Sequence, residues 1–295
     1  MGEILFEKFV DGKQEVFDPS SLGDADKCKY YYKIKDLERW RPRGTLWNAH
    51  FGTQVHSGIE AYHETKLLTE SHVEAQFAAV SKALELAPSL SGSPDNSRTP
   101  NTLCRAVSWY GETWGADDPF KTVKFNDAPA VELRFELAIP GTPWRLSGRI
   151  DRLAEWQGDL FIVDIKTTGR VLNYSYWNSW NPSTQFTAYR WACRALGLPV
   201  KGVLVEACQT MVNGTRWARQ RIDVKEDHIN EFERDMVRLV NDVDICHRTE
   251  HWPRNRGSCQ MYGGCELRDI CLASENNRHR YLDDKFHMVP YEPPK

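Results

Sequence analysis

Residues 147–168 read S-G-R-I-D-R-L-A-E-W-Q-G-D-L-F-I-V-D-I-K-T-T. Apolar side chains alternate with polar ones on both sides of a turn signal at residues 157–159, which predicts two strands joined as a hairpin. Asp151 lies in the first strand, and Asp164 and Lys166 lie in the second. Side chains two apart on a strand point to the same face, so Asp164 and Lys166 share a face. The stretch therefore predicts a hairpin that presents two carboxylates and one ammonium group.

Two carboxylates held close together repel each other, and each costs free energy to remove from water. A divalent cation between them removes both penalties, and Mg²⁺ prefers oxygen ligands of this kind. A neighbouring lysine can hold the attacking water or stabilise negative charge on a phosphoryl oxygen. The pattern therefore indicates metal-assisted phosphodiester hydrolysis. The alternative is a solvated hairpin with ordinary surface charges, because short motifs recur by chance.

The segments G-R-I-D (residues 148–151) and V-D-I-K-T-T (residues 163–168) resemble the PD-(D/E)xK nuclease superfamily, in particular its RecB-type exonuclease branch. The resemblance implies an α/β fold with a restriction-endonuclease-like core, in which helices flank a mixed central sheet. It also implies that Asp151, Asp164 and the Ile165 carbonyl bind Mg²⁺ or Mn²⁺ and that Lys166 is catalytic. Ile150 stands where the family has a proline before the first acid.

Residues 51–68 read F-G-T-Q-V-H-S-G-I-E-A-Y-H-E-T-K-L-L, with apolar residues at helical spacing. His56 and Glu60 are four apart and share a face, and His63 lies one turn further on. A single histidine in such a helix is more often structural than a ligand. The resemblance implies otherwise for His56, because the RecB-type branch has a helix G-x-x-x-H whose histidine completes the metal site. Glu60 and His63 are then only its neighbours.

A further helix is predicted to begin near Asn181 and to end before Gly197. Gln185 and Tyr189 share a face of this helix and match the Q-x-x-x-Y signature of the resembled family, whose residues contact the active site and DNA. Strands are expected at 130–139, 200–210 and 215–224, and a long amphipathic helix at 227–243. Glu132 in the first of these strands could approach the metal, although a strand acid more often faces solvent.

The region of about residues 66–125 predicts a helical insertion that packs against the sheet, with helices at 70–86 and 101–114. No long linker isolates it, so we expect one nuclease domain over residues 1–295. Residues 28–47 interleave lysines and arginines with aromatic side chains. Such a segment could follow a phosphate backbone while stacking bases, or it could be a solvated helix with an aromatic core face.

Cys259, Cys265 and Cys271 are separated by five residues each in a glycine-rich segment. They supply three soft ligands where tetrahedral sites require four. The candidates for the fourth ligand are Cys28 and a nearby group in sequence, namely Cys246, His247 and His251. The nearby group would suggest structural zinc. Three further cysteines, Cys104, Cys193 and Cys208, lie in apolar surroundings typical of core residues.

The resembled branch includes nucleases of the CRISPR-associated adaptation and AddB-like groups, with one cysteine before the nuclease core and three after it. This resemblance implies a [4Fe-4S] cluster bound by Cys28, Cys259, Cys265 and Cys271 in a C-terminal clasp of about residues 246–280. The usual C-x2-C opening of the trailing cysteines is stretched here to C-x5-C. Structural Zn²⁺ and unligated thiols are the alternatives.

The formal net charge of −3 over 295 residues gives no global indication of nucleic-acid binding, so DNA contacts must come from local patches. No run of eighteen apolar residues exists, and we expect no membrane span. Residues 1–6 lack the features of a secretory signal or a myristoylation site, which favours a cytoplasmic protein. Eight cysteines are then not expected to form disulfides.

The sequence thus predicts a Mg²⁺- or Mn²⁺-dependent deoxyribonuclease, an exonuclease that acts on single-stranded DNA ends. Its context would be DNA recombination, repair or processing, with partner proteins of recombination or phage DNA metabolism. Two other classes are a non-catalytic DNA-binding or assembly subunit that keeps the fold, and an iron–sulfur redox protein. The first predicts no metal binding, and the second predicts a reversible potential without nuclease activity.

Overall fold

A computed structural model of the chain describes residues 9–10, 13–14, 16–44, 46–115 and 117–289. The expectation about residues 1–6 lies outside these ranges. Among the described residues, no helix combines the length and the apolar character that crossing a membrane requires. The chain divides into two compact units, of which the first comprises residues 1–44, 135–148 and 230–295, and the second residues 45–134 and 149–229. The prediction of a single nuclease domain stays a prediction.

The strands of the described residues are numbered in chain order. They are β1 (Phe9–Val10), β2 (Lys13–Gln14), β3 (Val16–Phe17), β4 (Trp40–Pro42), β5 (Lys121–Thr122), β6 (Lys124–Phe125), β7 (Ala128–Pro129), β8 (Val131–Ala138), β9 (Arg145–Trp156), β10 (Asp159–Thr168), β11 (Val200–Met211), β12 (Gly214–Ile222) and β13 (Phe286–Met288).

The α-helices are numbered in the same way. They are α1 (Pro19–Lys27), α2 (Lys29–Tyr32), α3 (Trp47–Thr69), α4 (His72–Leu86), α5 (Pro100–Trp114), α6 (Tyr174–Asn178), α7 (Thr184–Ala195), α8 (Glu226–Thr249), α9 (Arg268–Leu272) and α10 (Arg278–Lys285). A π-helical turn covers Lys33–Leu37, and 3₁₀ turns cover Ala87–Leu90, Arg256–Gly263 and Glu275–Asn277.

The second unit is built on a mixed sheet in the order β12-β11-β10-β9. The β10–β11 pair is parallel, whereas β9–β10 and β11–β12 are antiparallel. Parallel neighbours require a crossover connection, and α6 and α7 provide it between β10 and β11. Residues 161–165 of β10 are buried without alternation, as expected for an inner strand covered on both faces. The predicted mixed sheet with flanking helices is present.

The hairpin that the sequence predicts joins β9 to β10. Gln157 and Gly158 form the turn, with φ angles of 54° and 82°. Positive φ at both central residues is typical of a two-residue type I′ turn, whose twist matches that of the flanking strands. The β9–β10 pairing continues from Trp156–Asp159 to Arg152–Val163. The hairpin therefore brings Asp151 and Asp164 to adjacent positions one residue beyond the last pair.

Helices α3, α4 and α5 form the predicted helical region of the second unit. Their shared core includes Val55, Ile59 and Val107 and extends to Ile165 of β10. Gly58 of α3 faces Val107 of α5 so closely that a Cβ at residue 58 would lie 2.7 Å from a Val107 methyl carbon. Close packing of α3 on α5 therefore depends on the missing side chain at this position.

The first unit contains a second core made of Tyr31, Ile34, Leu267, Ile270, Leu282 and Phe286. Cys28 and Cys265 pack against it. Tyr31 and its neighbour Tyr32 are buried, which favours the core interpretation of these two rings over a base-stacking surface. Strands β4 and β13 pair antiparallel in the same unit. The sequences on either side of residue 28 and residue 265 are thus held together by apolar packing.

Candidate active site

Asp151 and His56 form the first half of the site. The Asp151 carboxylate accepts a 2.7 Å hydrogen bond from the backbone N–H of Ile165, and the His56 Nδ1 atom lies 3.5 Å from the same oxygen. Helix α3 presents His56 close to β10 because Gly52 has no side chain. A Cβ at residue 52 would lie 3.3 Å from the Thr167 hydroxyl oxygen. The G-x-x-x-H pattern thus has a packing cause: the glycine permits the approach that places the histidine.

Asp164 and Lys166 form the second half. They lie on one face of β10, as predicted, and the Lys166 ammonium nitrogen is 2.7 Å from an Asp164 carboxylate oxygen. Gln185 of α7 accepts a 3.0 Å hydrogen bond from Lys166 and donates one of 3.3 Å to Asp164. Its amide also donates to the Tyr189 hydroxyl at 2.9 Å. The four predicted residues are therefore one hydrogen-bonded group.

Glu132 completes the site, although a solvent-facing position was the stronger expectation from its place in a strand. Ligand atoms of His56, Glu132 and Asp151 all lie within 4.8 Å of one another. The Glu132 side chain is only 14% exposed and forms an ion pair with Arg149. At Glu132 the strand β8 has a φ of 52°, in the left-handed region that a regular strand does not visit. This local irregularity disturbs the alternation, and no sequence pattern signals it.

The electrostatics of the site separate its carboxyl groups. Burial raises the pKa of Asp164 to about 6, against the effect of the Lys166 ammonium group. Burial likewise raises the pKa of Glu132 to about 7, reinforced by the Asp151 carboxylate. Burial also disfavours the Asp151 anion, but His56, Lys166 and the Ile165 N–H together outweigh it and hold the pKa of Asp151 below its usual range. Carboxyl groups crowded this closely accept either protons or a cation.

The donor set suits a divalent metal ion. Two carboxylates and one imidazole converge from β8, β9 and α3, and the Asp164 carboxylate is electrostatically coupled to them. Oxygen-rich sets of this type fit Mg²⁺ and Mn²⁺. Of the predicted ligands, His56 and Asp151 belong to the converging group, and Asp164 lies near enough to act on both electrostatically. The Ile165 peptide adjoins Asp151 through its N–H.

His63 lies outside this group and has a structural environment. Its ring bonds the Tyr110 hydroxyl at 2.6 Å and the Thr122 hydroxyl at 3.0 Å. The Tyr110 hydroxyl donates in turn to Glu206, which pairs with the buried Arg152 at 3.0 Å. Leaving His63 out of the predicted metal ligands is therefore consistent with the structure.

All four cysteines of the predicted cluster line one cavity of about 420 Å³ in the first unit: Cys28, Cys259, Cys265 and Cys271. The backbone N–H of Asn255 donates to the Cys28 sulfur at 3.4 Å. Burial raises the pKa values of the Cys265 and Cys271 thiols. Within the ranges that the structure describes, no three cysteine sulfurs lie within 4.8 Å of one another.

The other candidates for the fourth ligand lie elsewhere. Cys246 and His251 line a different cavity of about 400 Å³, which Cys28 also borders. The His247 ring packs against Trp144 and Trp252, with centroid distances of 5.9 and 4.9 Å. Of the four candidates, Cys28 alone shares a cavity with the trailing cysteines.

Comparisons with known proteins agree with this geometry. Residues 17–272 match the family model of the PD-(D/E)XK nuclease superfamily. The structure is similar to the crystal structure of a "Putative exonuclease" from Eubacterium rectale, with a TM-score of 0.51, 11% sequence identity, and coverage of 95% of this chain and 91% of that chain. At this identity the similarity supports the fold alone, and the predicted α/β fold is confirmed.

A second solved structure, SSO0001, covers 78% of this chain and 97% of its own at 15% identity. Its TM-score of 0.35 is too low to support an argument. No curated protein matches the sequence significantly.

Proposed function

Because the chain belongs to the PD-(D/E)XK nuclease superfamily, we propose that it is a Mg²⁺- or Mn²⁺-dependent deoxyribonuclease, an exonuclease that acts on single-stranded DNA ends. The observation that carries the proposal is that one hairpin presents two carboxylates side by side, each paired with a basic group. Asp151 is paired with His56, and Asp164 is paired with Lys166. A purely structural hairpin has no need of two buried carboxylates placed side by side.

The metal ion would be held by the side chains of His56, Glu132, Asp151 and Asp164 and by the Ile165 carbonyl. When bound, the ion supplies a Lewis acid for the scissile phosphate and lowers the pKa of a coordinated water. Hydrolysis forms one bond between the water oxygen and phosphorus and breaks the bond to the leaving oxygen.

Lys166 would stabilise the transition state of this hydrolysis. Its ammonium group donates to Asp164 and Gln185, so two acceptors fix its direction and one N–H remains for the nucleophilic water or a phosphoryl oxygen. Gln185 and Tyr189 then position the strand. The Gln185 amide links the lysine, the acid and the tyrosine, so a displaced Gln185 would disturb all three.

A cleavage assay on end-labelled single-stranded and duplex DNA, with Mg²⁺ or Mn²⁺, tests the proposal. Asp164→Asn and Lys166→Ala should each lower the rate by at least about 100-fold, the size expected when electrostatic stabilisation is removed. Asp159→Asn is a matched control, because this exposed carboxylate begins the same strand and pairs only with Lys201 at 3.8 Å. Cleavage that survives in the purified Asp164 and Lys166 variants would contradict the assignment. Metal-independent DNA binding without cleavage would indicate the non-catalytic subunit instead.

The cysteine cavity supports a [4Fe-4S] cluster as a second, structural cofactor. Four thiols around one cavity are the donor set that such a cluster requires. A single zinc ion would take the same four thiols, so metal analysis distinguishes the two cofactors.

This cluster extends the proposal to the RecB-type branch and its AddB-like and CRISPR-associated relatives. We place residues 1–295 in one nuclease domain that works in the cytoplasm, in DNA recombination, repair or processing. None of the eight cysteines, all of which the structure describes, is paired in a disulfide, and a reducing compartment would keep four of them available as cluster ligands.

A further inference from the structure

The segment that follows the catalytic strand carries a connected row of aromatic rings, which we call the aromatic segment (residues 170–180). The Lys166 ammonium nitrogen lies 5.6 Å from the ring centroid of Trp180. The Trp180 ring contacts Tyr176 at a centroid distance of 5.9 Å, and the Arg170 guanidinium lies 5.6 Å from the Tyr176 ring. The aromatic segment is therefore continuous with the candidate active site.

One part of this segment is anchored and another part is exposed. Tyr176 and Trp177 are buried, and Asn173 caps α6 by accepting a 3.0 Å hydrogen bond from the Tyr176 N–H. Tyr174, between the cap and these anchors, has 82% of its surface exposed. The ring of Tyr174 thus projects into solvent from a backbone that packing and capping hold in place.

The charged residues within the aromatic segment and its flanking sequence are all basic, and Asp164 of β10 is a carboxylate that acts on Tyr176. Residues 165–205 contain five lysines and arginines and no aspartate or glutamate, in a chain whose net charge is −3. Three of the five have carboxylate partners from outside this stretch on the sheet or on α8, and Lys166 pairs with Asp164. Among the described residues the exposed Arg170 guanidinium has no carboxylate partner, and it lies over the buried Tyr176 ring of α6, the helix that also carries the exposed Tyr174. A guanidinium and an exposed ring held by the same short helix fit a phosphate and a base of one strand.

We propose that Arg170 and Tyr174 form a binding site for unpaired nucleotides beside the scissile phosphate. This inference rests on the proposed nuclease function and assigns its substrate selection to these two residues. Tyr174 stacks on a base, and Arg170 pairs with a phosphate of the same strand. In a duplex every internal base is stacked on both sides and held in a pair, and only the terminal pair has a free face. A single strand offers free base faces along its length, so this site favours single-stranded over paired ends.

Fluorescence anisotropy with labelled oligonucleotides in EDTA tests the site without cleavage. Tyr174→Ala should weaken binding of single-stranded DNA by about 5- to 100-fold, the range for loss of one base–aromatic stack. Tyr174→Phe should retain binding because it keeps the ring. An oligonucleotide with abasic positions near its end should bind wild type and Tyr174→Ala alike. Arg170→Ala should weaken binding to normal and abasic strands equally and reduce the salt dependence.

Phe77→Ala is the matched control, because Phe77 is 75% exposed on α4 of the same unit and lies outside this segment. It should bind single-stranded DNA as wild type does. Equal affinity of wild type and Tyr174→Ala for single strands overturns the inference, while wild-type cleavage with Mn²⁺ would leave the nuclease proposal standing. Wild type that neither binds nor cleaves DNA overturns both. Loss of self-association in Tyr174→Ala, with DNA binding unchanged, would show that the ring serves a protein contact and that the inference is wrong.

Discussion

Glu132 carries a buried carboxyl group at the candidate metal site. It lies within 4.8 Å of ligand atoms of His56 and Asp151, and burial raises its pKa to about 7. A metal ion at this position would remove the penalty by neutralising the crowded charges. Glu132 therefore makes the free energy of unfolding depend on both pH and metal binding.

The variant Glu132→Gln tests this link in the metal-free protein. A carboxyl group with a folded-state pKa of about 7 and an ordinary unfolded value of 4.5 stabilises the fold in its protonated form. Its contribution is complete below the unfolded pKa and disappears as pH rises through 7. The stability of wild type relative to Glu132→Gln should thus fall by about 1–3 kcal/mol between pH 4.5 and pH 8.

Urea unfolding in EDTA at several pH values measures this difference. Addition of Mn²⁺ at pH 8 should stabilise wild type more than Glu132→Gln, because the variant lacks one ligand. A pH-independent difference between the two proteins, or equal stabilisation by Mn²⁺, would remove Glu132 from the metal site.

A second prediction concerns Asp164 and the pH dependence of the cleavage rate. Its pKa is raised to about 6 by burial, so a proton competes with both Lys166 and the cation below that pH. Cleavage should fall on the acid side with a midpoint at or below about 6. Because metal and proton compete for the same oxygens, more Mn²⁺ should move the midpoint lower. A midpoint that does not respond to the Mn²⁺ concentration would contradict this.

At the scale of single residues, the sequence predicts the site residues that follow the period of a strand or a helix. It does not place Glu132, which follows neither period. Asp164 and Lys166 share a face because strands repeat every two residues, and Gln185 and Tyr189 because helices bring residues four apart together. The position of Glu132 in the site depends on its own positive φ within β8 and on helix α3, which brings His56 to it. Both are tertiary effects with no local pattern.

At the scale of elements, helix packing in the second unit depends on small residues. Gly58→Ala should destabilise the protein although alanine favours helices by about 1 kcal/mol. The new Cβ would lie 2.7 Å from a Val107 methyl carbon, and overpacking of this kind costs about 1–3 kcal/mol. Chemical denaturation of Gly58→Ala, Val107→Ala and the double variant measures the coupling. Val107→Ala should rescue Gly58→Ala, and simple additivity of the two changes would show that they do not clash.

Elements with a strong local signal were predicted closely, and their ends were not. The β9–β10 hairpin and the β11–β12 pair lie where alternation placed them, and α7 lies within its predicted range but is capped by Ser183 and begins at Thr184, not near Asn181. Helix α3 begins four residues before the predicted start and ends at Thr69, where Glu70 caps it with a left-handed φ of 58°. The buried pairing of Arg152 with Glu206 was also missed, since a charged residue on a strand ordinarily indicates a solvent-facing position.

At the scale of the whole molecule, the decisive contacts join distant parts of the chain. Composition and net charge carried no signal for nucleic acid, because the positive stretch at residues 165–205 is balanced by acids elsewhere. Likewise Cys28 shares its cavity with residues more than two hundred positions later. Spacing alone left Cys246, His247 and His251 as further candidates. Packing of the first unit places Cys28 on the cavity of the trailing cysteines and places Cys246 and His251 on a neighbouring cavity that Cys28 also borders.

The last prediction concerns this long-range cysteine site. Protein purified without oxygen should be brown, absorb at about 400 nm and contain about four iron atoms per chain. Cys28→Ala should remove the colour, whereas Cys246→Ala should keep it, because Cys246 lies outside the cavity that holds the other four. The cluster closes a loop between Cys28 and Cys259, so its loss should lower the free energy of unfolding by about 3–5 kcal/mol. Iron analysis and calorimetry of both variants measure these effects. Zinc in place of iron, or loss of colour in Cys246→Ala and not in Cys28→Ala, would show that the ligand set is wrong.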